Sequence, residues 1–209
     1  MVFAALMWTA LAVAALVLAE RAHSRIGAWL AKPAASLGFI AFAWLTPHAE
    51  TAYATLLLAA LMLCAIGDVL LIPAGTGASF LAGTGAFALA HAAYAAAFWT
   101  RAPILWVSAL AAVGMFFVAR TTLRWLDPHL LPPLAAAVRG YIAVIAAMVS
   151  LAAGTSAATG DLRIAAGAVA FALSDLSVAR DRFVHPGFDN LIWGLPLYYA
   201  AQLTLAWTI

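Results

Sequence analysis

Charged side chains and cysteine are both scarce in this chain. Only 9% of its 209 residues are Asp, Glu, Lys or Arg, whereas 67% are hydrophobic. A soluble domain carries about 25% charged residues. A globular core of this size could not hide so much apolar surface, so the composition excludes a soluble domain and predicts an integral membrane protein. The single cysteine, Cys64, excludes an intrachain disulfide and any metal site that needs several cysteines.

Two enzyme motifs are also missing from the sequence. No Gly-Lys-Ser/Thr follows the glycine cluster at residues 75–85, and no Gly-x-Ser-x-Gly elbow occurs. These absences argue against a phosphate-binding loop and against a serine hydrolase. The net charge of +2 is small. In a membrane protein such an excess reflects the placement of loops, so no nucleic-acid partner is expected.

Long apolar runs dominate what the chain does contain. A helix needs about 20 apolar residues to cross the hydrocarbon core, and runs of this length alternate with short breaks that hold Gly, Pro or charge. No break is long enough for a second domain, so residues 1–209 are expected to form a single transmembrane domain. We predict an all-α fold, a polytopic transmembrane helix bundle of about eight spans. The spans fall near residues 2–19, 27–45, 52–72, 79–99, 103–119, 132–152, 161–179 and 190–208.

The placement of basic residues predicts an orientation. Met1–Ala19 has no basic n-region, and the first charges, Glu20 and Arg21, come after its apolar run, so it is interpreted as the first span and not as a signal peptide. The positive-inside rule places the loops after the odd-numbered spans in the cytoplasm and both termini outside it, in what we expect to be a bacterial inner membrane. Arg101 and Arg163 are on the opposite side. The arginines of the cytoplasmic loops are Arg21, Arg25, Arg120, Arg124, Arg180 and Arg182.

Two carboxylates, Asp68 and Asp175, lie in or at the end of apolar runs. An ionisable group inside a bilayer costs about 2.5–3.5 kcal/mol on insertion scales, so by default it marks a functional site. Two such groups in different spans suggest a pair for acid–base chemistry. Asp68, Asp175 and Lys32 all fall toward the predicted cytoplasmic face. Arg139 lies about two turns into the sixth span from that face, and we expect it to turn toward the bundle interior because charged side chains avoid lipid.

The fourth span contains a stripe of residues on one helical face. Phe80, Gly83, Phe87, His91 and Tyr94 are spaced by three, four, four and three positions. The two phenylalanines are interpreted as packing residues. His91 is the one histidine predicted inside a span, and its position is consistent with either a structural or a substrate-binding role.

A second polar pair lies in the last span, where Tyr198 and Gln202 are four positions apart and therefore share a face. Gln202 could join a polar network or simply link two helices. Ser174, next to Asp175, is expected to bond to its own helix backbone or to orient the carboxylate.

Zinc hydrolysis is an alternative interpretation of the polar residues. Zinc needs three or four ligands, and only His91, Asp68 and Asp175 could meet within the membrane. The other four histidines fall in loops or at the edges of spans. A metal site would therefore be poorly supplied with ligands.

A structural interpretation is also open. Asp68 could pair with Arg139, and Asp175 with Lys32 or Arg182, in ion pairs that lock helices together. A third alternative is a lipid transporter or lipid-binding protein, since intramembrane carboxylates also serve proton-coupled transport. The two halves of the chain lack the self-similarity that inverted repeats would give.

Taken together, these motifs resemble the YhhN-type lysoplasmalogenase family. The resemblance extends from Lys32 to Gln202 in the same order and spacing, with residues 130–154 matching less closely. The matching pieces are Lys32-Pro33, Gly67-Asp68-Val69-Leu70-Leu71, Phe80-x-x-Gly83-x-x-x-Phe87-x-x-x-His91-x-x-Tyr94, Ser174-Asp175 with Arg182-Phe183, and Tyr199-x-x-Gln202.

The resemblance implies a membrane hydrolase that cleaves the vinyl ether bond of lysoplasmalogens to a fatty aldehyde and a glycerophospho-alcohol. It implies that Asp68 and Asp175 are catalytic, that no cofactor or metal is needed, and that the partners are a lysophospholipid substrate and membrane lipid. Acid cleavage of a vinyl ether needs one proton donor and one carboxylate, and the order of the two roles stays open. Lys32 or Arg139 would hold the phosphate. Four further residues would position the headgroup, ether oxygen or water: His91, Tyr94, Tyr198 and Gln202.

Overall fold

A computed structural model describes residues 1–73 and 75–209, with only the backbone of Pro133 described. Within these ranges the chain forms eight α-helices and no β-strand. The helices are α1 Val2–Arg21, α2 Arg25–Leu45, α3 Ala52–Leu70, α4 Ala78–Thr100, α5 Leu105–Leu126, α6 Pro132–Thr159, α7 Leu162–Ala179 and α8 Phe188–Ala206. A 3-10 turn at Asp127–His129 follows α5, and a π-helical turn at Arg180–Val184 continues α7.

The predicted all-α transmembrane architecture is confirmed. Among the described residues, seven helices, α1 to α7, are long and apolar enough to cross a membrane. Helix α8 is as long as α3 at 19 residues, but it carries a series of polar side chains. It runs antiparallel to α7, because Ser177 donates a hydrogen bond to the carbonyl of Asn190 at one end (2.7 Å) and Gly167 packs against Leu205 at the other. Four polar side chains of α8 are buried in the bundle: Asn190, Tyr198, Tyr199 and Gln202.

Hydroxyl and carboxyl side chains cap the N-termini of several helices, at the positions where the apolar runs begin. Ser24 accepts a hydrogen bond from the Gly27 amide, and Thr51 accepts one from the Ala54 amide, each at 3.1 Å. Such caps satisfy amide groups that have no partner within the helix. They place the start of α2 and α3 within a few residues of the predicted boundaries.

Helices α5 and α6 each end seven residues beyond the predicted boundary, at Leu126 and Thr159. The sequence prediction ended α6 where Gly, Ser and Thr become frequent, but these small residues are helix contacts. Thr155 donates a hydrogen bond to the carbonyl of Phe98 on α4 at 3.0 Å. Gly160 follows the last residue of α6 and terminates the helix, because its φ of 74° lies in the left-handed region that favours glycine.

Seven of the helices form a closed ring in the order α1, α2, α3, α4, α6, α7 and α8, with α8 returning to α1. Helix α8 also contacts α2 and α3, so it lies close to the centre of the ring. Helix α5 packs mainly against the outside of α6, and its only buried residues are Ser108 and Leu126. The ring brings the polar residues of α2, α3, α4, α7 and α8 together.

Candidate functional site

A cavity of about 290 Å³ lies inside the bundle, toward the face at which α3 and α7 end. Every helix except α1 contributes to its wall. Most lining side chains are aliphatic or aromatic, and the charged ones are Lys32, Asp68 and Asp175. Both predicted catalytic carboxylates therefore line one cavity, although they belong to different helices.

Asp68 lies near the end of α3 and is buried. The ring of Phe87 would lie 2.7 Å from a Cβ at Gly67, so a glycine before Asp68 lets α4 pack closely against this part of α3. The Oδ2 atom of Asp68 accepts hydrogen bonds from Ser36 (2.7 Å) and Tyr198 (2.8 Å). Both hydroxyls therefore meet the same carboxylate oxygen.

The other oxygen of Asp68 faces a cation. The Nζ atom of Lys32 lies 4.0 Å from Oδ1, and the lysine side chain is only 13% exposed. Lys32 and Ser36 are one turn apart on α2, so a single helical face supplies both contacts. The predicted partner for Lys32 in the structural interpretation was Asp175, and that pairing is wrong: Lys32 pairs with Asp68.

Asp175 meets a different environment. Its Oδ2 atom lies 3.2 Å from Nε2 of His91, which is completely buried. The other ring nitrogen, Nδ1, lies 2.7 Å from the carbonyl oxygen of Phe87. Phe171 stacks on the imidazole with ring centroids 4.2 Å apart, and Tyr141 approaches it edge-on at 5.4 Å. The His91 side chain is therefore fixed between its own helix, α4, and the neighbouring helices α6 and α7.

Aromatic rings connect the two carboxylates. Tyr198, which donates to Asp68, packs against Phe87 and Phe171 with centroid distances of 5.9 and 5.6 Å. Phe171 in turn stacks on His91, the neighbour of Asp175. The predicted packing role of Phe87 agrees with these contacts.

Tyr94 and Gln202 lie behind the cavity and not on its wall. Both are completely buried, and Tyr94 donates a hydrogen bond of 2.7 Å to Oε1 of Gln202. The Nε2 atom of Gln202 has no hydrogen-bond partner among the described residues. Of the predicted substrate-binding residues, Lys32 and Tyr198 line the cavity, whereas His91 reaches it through Asp175.

The predicted inward direction of Arg139 is wrong. Its side chain is 58% exposed and forms a 3.2 Å ion pair with Asp127, in the turn that follows α5. The cause is that Asp127 lies at the same edge of the bundle, so the long arginine side chain extends to that edge and pairs there. Arg139 is not part of the cavity wall. The proposed pair of Asp68 with Arg139 is wrong for the same reason.

Arg182 binds backbone carbonyl groups and does not pair with a carboxylate of the cavity. Its guanidinium donates hydrogen bonds to the carbonyls of Leu71 (2.8 Å), Gly75 (3.0 Å) and Pro73 (3.4 Å). The π-helical turn after α7 is thereby attached to the connection between α3 and α4, just beyond Asp68. The predicted pairing of Arg182 with Asp175 is wrong.

Comparison with models of known protein families identifies the family of this chain. A model of the YhhN family matches residues 27–209. This chain belongs to the YhhN family. The match covers α2 to α8 and so includes every residue of the cavity described above. No curated protein and no solved structure matches the chain.

Two side chains of this YhhN site were missed by sequence reasoning: Ser36 and Phe171. Ser36 is one turn from Lys32 and Phe171 is one turn from Asp175, so helical spacing could have found both. Tyr141 lies with Arg139 in the stretch where the resemblance is less close, and of these two only Tyr141 lines the cavity. The expected backbone bond of Ser174 is present, because its hydroxyl donates to the carbonyl of Phe171 at 2.7 Å.

Within the described residues of this YhhN protein, no group of three or more His, Cys, Asp or Glu side chains could hold a metal ion. His91 and Asp175 meet, and Asp68 lies apart from them beside Lys32.

Proposed function

We propose that this protein is a membrane lysoplasmalogenase, a hydrolase that cleaves the vinyl ether bond of lysoplasmalogens to a fatty aldehyde and a glycerophospho-alcohol. The observation that carries the proposal is the presence of two carboxyl groups, Asp68 and Asp175, on the wall of one largely apolar cavity inside a membrane bundle. Membership of the YhhN family supports it, through the likeness of its motifs to the lysoplasmalogenases.

The chemistry requires two groups of opposite function. Protonation of the β-carbon of a vinyl ether gives an oxocarbenium ion, and water then adds to the α-carbon. The resulting hemiacetal collapses to an aldehyde and an alcohol. One carboxylic acid can supply the proton, and one carboxylate can stabilise the cation and activate the water. Asp68 and Asp175 are the two groups that we propose for these roles.

The cavity wall suits a lipid with one chain. Beyond the carboxylates it is formed by apolar side chains of α5, α6 and α7, such as Met115, Ile142 and Leu173. Val169 and Leu173 are also 44% and 46% exposed, which fits a cavity that opens toward the bilayer. An apolar chain could enter there without passing through water.

Lys32 is the basic residue on the cavity wall, and we propose that it binds the substrate phosphate. Arg139 extends away from the cavity, so we do not propose it as a phosphate ligand. Tyr198 would orient the headgroup or the water through its hydroxyl. We place the site in the cytoplasmic half of a bacterial inner membrane, because the basic residues concentrate at the ends of the helices near the cavity.

Aldehyde release by the purified protein tests the proposal. Lysoplasmenyl-ethanolamine is the substrate, and the saturated alkyl ether of the same chain length is its control. We expect aldehyde from the vinyl ether only, with loss of at least 100-fold in Asp68→Asn and in Asp175→Asn. Asp127→Asn is the matched control, because Asp127 is half-exposed and pairs outside the cavity; it should retain wild-type turnover.

Three results would count against the proposal. Full turnover in either carboxylate variant would remove that residue from the chemistry. Loss of activity with a chelator would indicate a metal-dependent hydrolase. Binding of the lipid by folded wild-type protein without aldehyde release would indicate transport or lipid binding instead.

A further inference from the structure

The hydrogen bonds of His91 define where its protons are. A backbone carbonyl can only accept, so the 2.7 Å contact between Nδ1 and the Phe87 oxygen requires a proton on Nδ1. A neutral imidazole then has a lone pair on Nε2. That lone pair faces Oδ2 of Asp175 at 3.2 Å.

Two acceptor atoms at this distance repel each other unless a proton lies between them. Neither Nε2 of His91 nor Oδ2 of Asp175 has any other hydrogen-bond partner among the described residues. The two atoms are close but not aligned for a full hydrogen bond. Such contacts in a substrate-free site commonly tighten when the substrate binds.

We infer that His91 and Asp175 hold one proton in common, and that this pair is the acid of the site. The inference rests on the proposed function for what the proton does, but its location follows from the contacts alone. Phe171 and Tyr141 pack on the imidazole from α7 and α6. Apart from Asp175, the titratable side chain among these contacts is Tyr141, whose hydroxyl also lies close to the Asp175 carboxyl group.

Asp68 has a different environment, with an ammonium group in place of the imidazole. Two hydroxyls meet its Oδ2 atom and an ammonium group lies 4.0 Å from its Oδ1 atom. Burial disfavours the ionised form of a carboxyl group, and these contacts offset that cost. Asp68 is therefore the carboxylate that stabilises the oxocarbenium ion, and its Oδ1 atom, which no hydroxyl occupies, is the one that can meet water.

The assignment gives a balanced reaction. Asp175 donates its proton to the β-carbon through the π electrons of the double bond, which leaves an oxocarbenium ion at the α-carbon and a carboxylate at Asp175. Water forms a bond to the α-carbon and gives its proton to Asp68. The hemiacetal hydroxyl then returns a proton to Asp175, the bond from carbon to the glycerol oxygen breaks, and that oxygen takes the proton of Asp68. Both side chains end as they began, and His91 acts as a positioning residue.

Nitrogen NMR of His91 tests the location of the proton without any substrate. The other four histidines, His23, His48, His129 and His185, can be replaced by Gln so that His91 is the only one labelled with ¹⁵N. We expect a protonated Nδ1, and an Nε2 signal that Asp175→Asn shifts and Asp127→Asn does not. A proton on Nε2 alone, or an Nε2 signal insensitive to Asp175→Asn, would overturn the inference.

A binding measurement separates the two carboxyl groups. The probe is a lysophospholipid analogue in which a protonated secondary amine replaces the vinyl ether, so that it carries the positive charge of the oxocarbenium ion. We expect its Kd to rise at least tenfold in Asp68→Asn and less than twofold in Asp175→Asn. The reverse order would overturn the assignment. If wild-type protein released no aldehyde, the proposed function would fail, whereas the NMR result would still decide where the proton lies.

Discussion

The hydroxyl of Tyr198 is one of two that meet the same oxygen of Asp68, and Tyr199 beside it makes only long contacts of 3.4 and 3.5 Å. We expect Tyr198→Phe to lower kcat about tenfold or more, because a hydrogen bond to a charged group contributes about 1.5–3 kcal/mol and the ring packing is retained. Tyr199→Phe is the matched control and should stay within twofold of wild type. Turnover assays with both variants decide this, and an equal effect of the two changes would contradict a specific role for Tyr198.

Lys32 and Arg139 were predicted as alternative phosphate ligands, and only Lys32 lies on the cavity wall. We expect Lys32→Gln to raise KM for a lysophospholipid at least tenfold, and to leave KM almost unchanged for a vinyl ether glycerol without phosphate. Arg139→Gln should leave both unchanged, because its side chain is exposed and pairs with Asp127. Steady-state kinetics with the two substrates provide the measurement. A similar rise for the phosphate-free substrate would show that Lys32 acts through Asp68 instead.

At the scale of the helices, α1 and α2 approach each other most closely at Gly38, which packs against Thr9. A methyl group at Gly38 would press on the Thr9 hydroxyl and lie 3.1 Å from the Cα of Thr9, which cannot move without its helix. We expect Gly38→Ala to lower stability by about 1–3 kcal/mol, seen as a lower Tm in detergent. Gly140→Ala on α6 is the control, since a Cβ there meets nothing within 4 Å. It should raise the Tm slightly, because alanine favours helix. A lower Tm in both would point to a general intolerance of alanine.

Helix α5 shows why the ends of spans are hard to predict. The sequence has Arg120 and Arg124 near its end, and a hydropathy window stops before such residues. In the structure α5 continues to Leu126, because arginine and leucine are good helix formers and the backbone bonds of a helix do not depend on lipid. The end of the apolar run and the end of the helix are therefore different positions.

For the whole molecule, the positions of the basic residues in the structure indicate the same orientation in the membrane as the sequence does. Arg101 and Arg163 are the only two of the ten basic residues at the helix ends far from the cavity. Single cysteines can test the topology, because Cys64 is fully buried and should give no background. In intact bacterial cells, we expect an impermeant maleimide to label Glu50→Cys and to leave Ala22→Cys unlabelled until the membrane is permeabilised. The opposite pattern would place the cavity on the outer side.

The class of protein and most of the helices follow from the amino-acid sequence alone, since both depend on composition and on the length of apolar runs, which are local properties. It also marked Asp68, Asp175 and His91, because a polar residue in an apolar segment is conspicuous without any neighbour in view. The partners of these side chains depend on how the helices pack. Lys32 meets Asp68 and His91 meets Asp175 because the ring order sets which helix faces converge, and no local pattern encodes that order. For the same reason Arg139 extends away from the cavity, although its predicted depth in the membrane matched that of the cavity.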